Sequence, residues 1–271
     1  MKKIFSFLLT LFLTLYIVGC GVSCRTVSLS TTPVIDKIQQ RGTVLIGTSG
    51  DYRPLSYKEP ETDDYWGFCL DVAGEIAKAL NITITYVPTS WPTLSADVQD
   101  PTLFDFAIGG ITITDTRKET MDMSEGYLGN GKTILCRKED VGKYTCQEDL
   151  NRPEVRVMVN PGGLNEKFAR EKLPDCTLIV YNRNEEIPNQ VATGNADVMI
   201  TEITEAPWYI QNDTRLAAPL LDQPFTRGEI GVLMRKGQED LLDAVNTTIR
   251  RMKADGSLKT LHQKYGLVYV Y

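Results

Sequence analysis

Strand patterns and helix patterns alternate along this chain from Val34 onward, in two successive sets. Apolar runs of about four to eight residues are typical of buried strands, whereas apolar residues at helical spacing are typical of amphipathic helices. The first set has strand patterns at 44–49, 83–88 and 104–111 and helix patterns at 69–80 and 116–123; the second has strand patterns at 155–160, 177–181 and 196–201 and helix patterns at 163–173 and 184–193. This alternation predicts an α/β fold with two doubly wound sheets, one in each of two lobes.

Two further strand patterns connect the sets. KTILCRKED at 132–140 follows the first set, and GEIGVLMRK at 228–236 follows the second. Two such crossings predict two hinge strands with a ligand cleft between the lobes. The remaining sequence has two amphipathic helix patterns broken at Gly256, which we assign to the first lobe. The predicted domains are lobe 1 at 34–136 plus 228–271 and lobe 2 at 137–227.

The amino terminus has the pattern of an export signal. Lys2 and Lys3 precede an apolar run at 4–18, which ends in IVGC at Cys20. This pattern predicts a signal peptide at 1–19, lipidation of Cys20 and a polar tether at 20–33. A plain secretory signal and a hydrophobic anchor remain alternatives. The protein is therefore expected to be exported, periplasmic or at the cell surface, and attached to the membrane by a lipid.

Charge and residue usage exclude several classes of function. The chain of 271 residues has a formal net charge of −6, and residues 1–19 contribute only positive charge, so a nucleic-acid partner is not expected. There is no CxxC pair, and His262 is the only histidine, so neither a zinc site nor a histidine triad is expected. We interpret His262 as a surface residue and leave open one cystine among Cys136, Cys146 and Cys176.

The stretch TEITE places Glu202 and Glu205 three residues apart, directly after a strand pattern. Three interpretations are open: a solvated helix start, a pair that holds a ligand's ammonium group, or an acid that takes part in chemistry. If a helix begins here, the two carboxylates share one face, and each raises the pKa of the other.

A candidate anion site lies in GGITITDTR. Thr112, Thr114 and Arg117 combine hydroxyls with a guanidinium near a predicted helix start, which suits one carboxylate. The alternative is an ordinary capping turn with a solvated arginine.

Several stretches together resemble the periplasmic amino-acid-binding proteins of the type 3 solute-binding class. They are GTVLIGTSGDYRPLSY, GFCLDVAGEIAKAL, FDFAIGGITITDTRKETMDMSEGYL and GNADVMITE. The resemblance implies a two-lobed fold with the ligand in the cleft, in contact with Thr112, Thr114 and Arg117.

Four stretches, the first of which lies within GTVLIGTSGDYRPLSY, resemble cyclohexadienyl dehydratases, which are secreted enzymes with the same fold: TSGDYRPLSY, TSWPTL, GNGKT and VNPGGLNEKFAR. This resemblance implies that Glu205 is the catalytic glutamate and that Glu202 is at the position that holds the ammonium group in ordinary binders. It also implies cleft positions for Asp51, Trp91, Lys132 and Asn165. Leu164 departs from the pattern because a small hydroxyl residue is expected there, which removes a contact to a substrate carboxylate. Glu202 also departs from the pattern, because an aspartate is more common at that position.

The chemistry accounts for these residue types. Prephenate or arogenate loses a ring hydroxyl and a carboxylate together, so the reaction requires one proton donor and no cofactor. A buried carboxylic acid, here Glu205, converts the hydroxyl into water. Two substrate carboxylates need two cations, which Arg117 and Lys132 supply; Lys132 is also suited to orienting the hydroxyl.

The sequence thus favours a dehydratase of phenylalanine biosynthesis. The alternative is a lipid-anchored amino-acid-binding receptor of an ABC transporter, which needs a permease partner and holds its ligand with Arg117 and Glu202. Without these resemblances, Trp91 is equally well interpreted as a core aromatic residue, and Lys132 is equally well interpreted as a solvated turn residue. A signalling or adhesion domain is disfavoured because it needs no buried ionic cleft.

Overall fold

The computed structural model of the protein describes residues 33–271. The predicted signal peptide at 1–19, the predicted lipidation of Cys20 and residues 20–32 of the predicted tether lie outside the described residues. Within 33–271, no helix has both the length and the apolar character needed to span a membrane.

The elements up to the first crossing are, in chain order, α1 (Val34–Arg41), β1 (Thr43–Thr48), β2 (Asp51–Tyr52), β3 (Ser56–Lys58), β4 (Tyr65–Trp66), α2 (Phe68–Leu80), β5 (Thr83–Pro88), α3 (Leu94–Gln99), β6 (Phe106–Ala107), α4 (Asp115–Thr120), β7 (Met121–Met123) and β8 (Leu128–Asn130). The remaining elements are β9 (Lys132–Arg137), a 3-10 helix (Lys138–Lys143), β10 (Arg156–Val159), α5 (Leu164–Lys172), β11 (Thr177–Val180), a second 3-10 helix (Asn184–Glu186), α6 (Ile187–Ala192), β12 (Val198–Glu202), α7 (Ala206–Asn212), β13 (Leu216–Ala217), β14 (Gly228–Ile230), β15 (Leu233–Arg235), α8 (Glu239–Asp255) and α9 (Ser257–Lys264).

Two five-stranded sheets form the framework of the two lobes. The first has the order β5–β1–β6–β15–β7, with β1 parallel to β5 and β6 and with β15 antiparallel to β6 and β7. The second has the order β11–β10–β12–β9–β13, with β10 parallel to β11 and β12 and with β9 antiparallel to β12 and β13. The predicted two-lobed α/β fold is confirmed. Each sheet is mixed rather than purely parallel, because β15 and β9 enter from the opposite lobe and run against their neighbours.

The crossings between the sheets lie at β8 and β14. These strands pair antiparallel, with Gly129 opposite Glu229. The chain goes through β8 from β7 of the first sheet to β9 of the second, and it returns through β14 to β15. The predicted crossing strand at 132–140 is β9, and its residues 132–137 belong to the second sheet. The predicted boundary between 136 and 137 therefore cuts β9.

The carboxy-terminal helices pack against the first sheet. Leu241, Val245, Ile249 and Met252 are buried in one cluster with the side chains of α2 and β1, as helical spacing requires. His262 was predicted to be on the surface, and this was wrong. It is 0% exposed and packs against the ring of Phe68, with 4.7 Å between the ring centroids.

Two local predictions also need correction or completion. The helix predicted at 116–123 ends at Thr120, because Met121 and Met123 are buried in a strand that pairs with β15. The cysteines within the described part of the chain, namely Cys69, Cys136, Cys146 and Cys176, are all free thiols, so the cystine left open is not formed among them.

Candidate functional site

A cavity lies between the two sheets. The first lobe contributes Tyr52, Trp91, Gly110, Thr112 and Arg117, and the second lobe contributes Lys132, Asn160, Gly163, Leu164, Asn165, Asn184 and Glu202. Six of the nine site residues predicted for ligand contact or catalysis therefore line one cavity, whereas Asp51, Thr114 and Glu205 lie outside its wall.

Arg117 is held by its own segment of the chain. Thr114 caps α4 and accepts a hydrogen bond from the Arg117 backbone N–H at 3.2 Å, while Arg117 Nη1 donates to the Thr112 carbonyl at 2.6 Å. Burial lowers the pKa of Arg117, and the negative charge of Glu202 opposes that shift. No carboxylate within residues 33–271 forms a salt bridge with Arg117, so its charge is available to an anion in the cavity.

Asp51 lies behind the aromatic part of the wall. Trp91 Nε1 donates to Asp51 Oδ1 at 3.0 Å, and the indole meets the Tyr52 ring edge-on at 5.8 Å. Burial raises the pKa of Asp51, although the hydrogen bond from Trp91 partly counteracts that shift. The contact of Asp51 is with the indole, whose ring it orients.

Lys132 and Glu202 form a buried ion pair. They are directly opposite each other in the register of β9 and β12, and their side chains are 9% and 5% exposed. Lys132 Nζ contacts Glu202 Oε1 and donates to Asn165 Oδ1 at 2.6 Å, while the Tyr52 hydroxyl donates to Glu202 Oε2. Burial favours the neutral form of Glu202, but the charge and hydrogen bonds of Lys132 and Tyr52 hold its pKa below the usual range. The protein itself thus neutralises this carboxylate.

Glu205 is in a different environment although it is only three residues away. It is 0% exposed, and its carboxyl group contacts the hydroxyls of Thr201 and Tyr209 and, at 3.5 Å, the amide nitrogen of Asn184. Burial is the main cause that raises the pKa of Glu205 to about 8, with a further contribution from the charge of Glu202. This group is therefore mostly a neutral acid at pH 7.

The sequence had suggested that the two glutamates share one helical face, but in the structure they do not. Glu202 ends β12, and α7 begins at Ala206 after a turn. Pro207 in the first turn of α7 fixes that start. A solvated helix start is excluded because Glu202 is only 4% exposed and Glu205 is fully buried.

Three wall residues with polar side chains were missed by sequence reasoning. Asn160 directly follows β10, and the carboxyl ends of parallel strands are where α/β sheets place their ligands, so that rule could have found it. Tyr52 adjoins the predicted Asp51. Asn184 begins a 3-10 helix within a predicted α-helix, and no local signal in the sequence marks it.

Comparisons with known proteins identify the family of the chain. The model for bacterial extracellular solute-binding proteins, family 3, matches residues 44–268. The chain is 36% identical to the cyclohexadienyl dehydratase of Pseudomonas aeruginosa over 204 residues, which is 75% of each chain.

Two solved structures extend the comparison. An ancestral amino acid-binding protein, a precursor of cyclohexadienyl dehydratase, is 35% identical, with a TM-score of 0.79 over 86% of this chain and 99% of that one. An ancestral cyclohexadienyl dehydratase is 47% identical, with a TM-score of 0.54 over 87% of this chain and 97% of that one.

The family model spans nearly all of the described residues, and the two-sheet fold agrees with it. The chain therefore belongs to the bacterial extracellular solute-binding proteins of family 3.

Proposed function

We propose that this protein is a dehydratase that converts prephenate, arogenate or both into phenylpyruvate or phenylalanine, with loss of water and carbon dioxide. The observation that carries this proposal is the ion pair of Lys132 with Glu202. In an amino-acid receptor, a carboxylate at Glu202 would hold the ligand's ammonium group. Here the ammonium of Lys132 already neutralises it.

The charges that remain suit a carboxylate-rich substrate. Arg117 has no carboxylate partner within the described residues, and Lys132 Nζ is on the same cavity wall as Asn165. Arg117 anchors one substrate carboxylate. Lys132 attracts the other or orients the ring hydroxyl, and Thr112, Trp91 and Asn165 shape the cavity around the ring.

Glu205 is the general acid in this proposal. Its pKa of about 8 keeps the proton on the carboxyl group near neutral pH, which a proton donor requires. Transfer of that proton to the ring hydroxyl creates water as the leaving group. Loss of carbon dioxide then supplies the electron pair that makes the ring aromatic, and no cofactor takes part.

The comparisons support the enzyme in two ways. The relative from Pseudomonas aeruginosa is itself named as a cyclohexadienyl dehydratase. The chain is also 47% identical to the ancestral dehydratase and 35% identical to the ancestral amino acid-binding precursor.

One observation favours the second candidate, an amino-acid receptor. Glu205 does not line the cavity, and its hydrogen bonds to Thr201 and Tyr209 are those of a buried structural carboxyl group. In that case Arg117 binds the α-carboxylate, Glu202 binds the ammonium group after Lys132 moves aside, and an ABC permease is the partner. In both cases we propose that Cys20 carries a lipid that attaches the exported protein to the membrane.

The test is turnover by the purified protein with prephenate and with arogenate, followed by proton NMR of the aromatic product. We expect turnover by the wild type and its loss, by at least about 10²-fold, in Glu205→Gln. Glu154→Gln, at an exposed carboxylate, is the control and should retain full activity. If the wild type is inactive but binds a free amino acid tightly, and Arg117→Ala loses that binding, the receptor is the correct function.

A further inference from the structure

A second groove, the outer groove, adjoins the cavity. It lies between α5 of the second lobe and residues 112–114 of the first lobe, and the start of β14 completes it. Thr112, Lys132, Leu164 and Glu202 belong to the walls of both the cavity and the outer groove. The ion pair of Lys132 with Glu202 therefore lies between the two spaces. Because both lobes bound the outer groove, it is part of the mouth of the cleft.

One face of α5 forms the second-lobe side of the outer groove. The residues follow the i, i+3, i+4, i+7, i+8 spacing of a single helical stripe: Leu164, Lys167, Phe168, Glu171 and Lys172. At about 1.5 Å of rise per residue, the stripe extends for about 12 Å, from Leu164 at the cavity to Lys172 at the outer end. The ring of Phe168 stacks on Phe225, with 5.5 Å between the ring centroids. Apolar and charged side chains thus alternate along the groove, which suits an anion that carries a ring.

The charge of the outer groove is opposite in sign to that of the protein as a whole. The chain has a formal net charge of −6. The walls of the groove, in contrast, have two acidic side chains, Glu171 and Glu202, and four basic ones, Lys132, Lys167, Lys172 and Arg227. The groove therefore has an excess of two positive charges.

Two of these cations are not neutralised by the protein. Lys132 pairs with Glu202, and Lys167 Nζ lies 3.8 Å from Glu171 Oε1. Lys172 and Arg227 are exposed and form no salt bridge with any group in the described part of the chain. Arg227 Nη2 instead points to the backbone carbonyl of Asp222, at 3.5 Å. These two side chains produce a positive potential at the mouth of the cleft.

We propose that the outer groove is the route by which an anionic substrate enters the cavity, and that Lys172 and Arg227 attract the substrate's carboxylates to it. This inference rests on the proposed dehydratase function, because prephenate and arogenate each carry two carboxylates. When the lobes separate, residues 112–114 move away from α5 and the groove opens into the cavity. The groove thus selects anions before Arg117 binds one.

Attraction of this kind acts on the rate of association. A cleft lined by charges of one sign raises the association rate of an oppositely charged ligand by about 10–10³-fold, and salt reduces the effect. The screening length is about 30 Å at an ionic strength of about 0.01 M and about 3 Å at about 1 M. Removal of the two cations should therefore slow association mainly at low salt.

The test compares two double variants that change the net charge equally. Lys172→Gln/Arg227→Gln removes the two cations of the groove. The control, Lys37→Gln/Lys259→Gln, removes two exposed cations that lie outside the groove. Each pair is combined with Glu205→Gln, so that prephenate binds without reacting.

Stopped-flow tryptophan fluorescence, to which Trp91 in the cavity wall contributes, reports the arrival of prephenate. We expect the association rate constant of the groove variant to fall about fivefold at an ionic strength of about 0.01 M and less than about twofold at about 1 M. The control variant should stay within about twofold of its parent at both. Arogenate also carries an ammonium group, so its association should depend less on salt and should slow less in the groove variant.

The outcomes separate the two proposals. If the wild type turns over prephenate but the groove variant and the control variant associate at equal rates, the groove has no role in entry and the dehydratase stands. If the wild type binds prephenate without turnover and only the groove variant is slowed at low salt, the dehydratase is wrong and the groove remains a route for anions. If the folded wild type does not bind prephenate, both proposals are overturned.

Discussion

The two lobes contribute opposite kinds of wall to the same cavity. The first-lobe wall consists of Tyr52, Trp91, Gly110, Thr112 and Arg117, and its one formal charge has no carboxylate partner within the described residues. The second-lobe wall carries Lys132 and Glu202, whose charges neutralise each other, and it has the neutral acid Glu205 behind it. The first wall can receive an anion as it stands. The second wall has no net charge, and the neutral acid behind it suits this wall to proton donation.

Breaking the ion pair of the second-lobe wall should have the largest effect. Lys132→Met leaves Glu202 buried without its ammonium partner, so we expect a loss of about 3–5 kcal/mol in the free energy of unfolding. The double variant Lys132→Met/Glu202→Gln removes the uncompensated charge and should recover much of that loss. Urea unfolding measures both. If the double variant is no more stable than Lys132→Met, the claim that Lys132 neutralises Glu202 is contradicted.

Removing the charge of the first-lobe wall should act on binding instead of folding. We expect Arg117→Ala to weaken the binding of a dicarboxylate substrate analogue about 10²-fold, or about 2.7 kcal/mol, because the anion loses a buried guanidinium. Arg117→Lys keeps the charge but loses the forked guanidinium, so its affinity should lie between those of the wild type and Arg117→Ala. Titration calorimetry is the measurement. Unchanged affinity in Arg117→Ala would place the anion site elsewhere.

The acid behind the second-lobe wall should make both activity and stability depend on pH. The pKa of Glu205 is raised to about 8 in the folded protein, so turnover should fall as the pH rises through about 8. An unfolded glutamate loses its proton near pH 4.3, so the stabilisation from the neutral buried acid is complete below that pH and is lost progressively up to about pH 8.

The stability part of this prediction has a direct comparison. Glu205→Gln cannot titrate, so its free energy of unfolding should fall less than that of the wild type between about pH 4.3 and 8. Urea unfolding at a series of pH values measures the difference. Parallel curves for the two proteins would assign the pH dependence to other groups.

The smallest expected effect is at the aromatic part of the first-lobe wall. Trp91→Phe keeps an aromatic ring but removes the hydrogen bond to Asp51, which should cost about 0.5–1.5 kcal/mol of stability. Because that bond lowers the pKa of Asp51, its loss should raise the pKa further, which carbon-13 NMR of the carboxyl group would detect. Trp66→Phe is the control, because it removes a similar hydrogen bond, to Glu59, and should leave the pKa of Asp51 unchanged.

Most elements and the fold class could be predicted from local sequence patterns. Periodicity is a local property, so the strand at 83–88, the break of the last two helices at Gly256 and the two alternating sets were all readable before any contact was known. It also indicated Glu202 and Glu205, which follow a strand pattern, and Arg117, which is near a predicted helix start, whereas Lys132 was indicated only by the resemblance to cyclohexadienyl dehydratases.

The contacts among those residues, in contrast, depend on the tertiary structure. Lys132 and Glu202 are 70 positions apart in the chain and meet only because β9 pairs with β12 in one register. The pKa of Glu205 follows from complete burial, which depends on every element packed around it, and the buried His262 was misread for the same reason. Asn184 has no local signature at all, since its significance lies in contacts with Asp51 and Glu205, which are distant in sequence. Local patterns determine helices and strands, whereas charge state and hydrogen-bond partnership depend on surroundings that only the folded chain brings together.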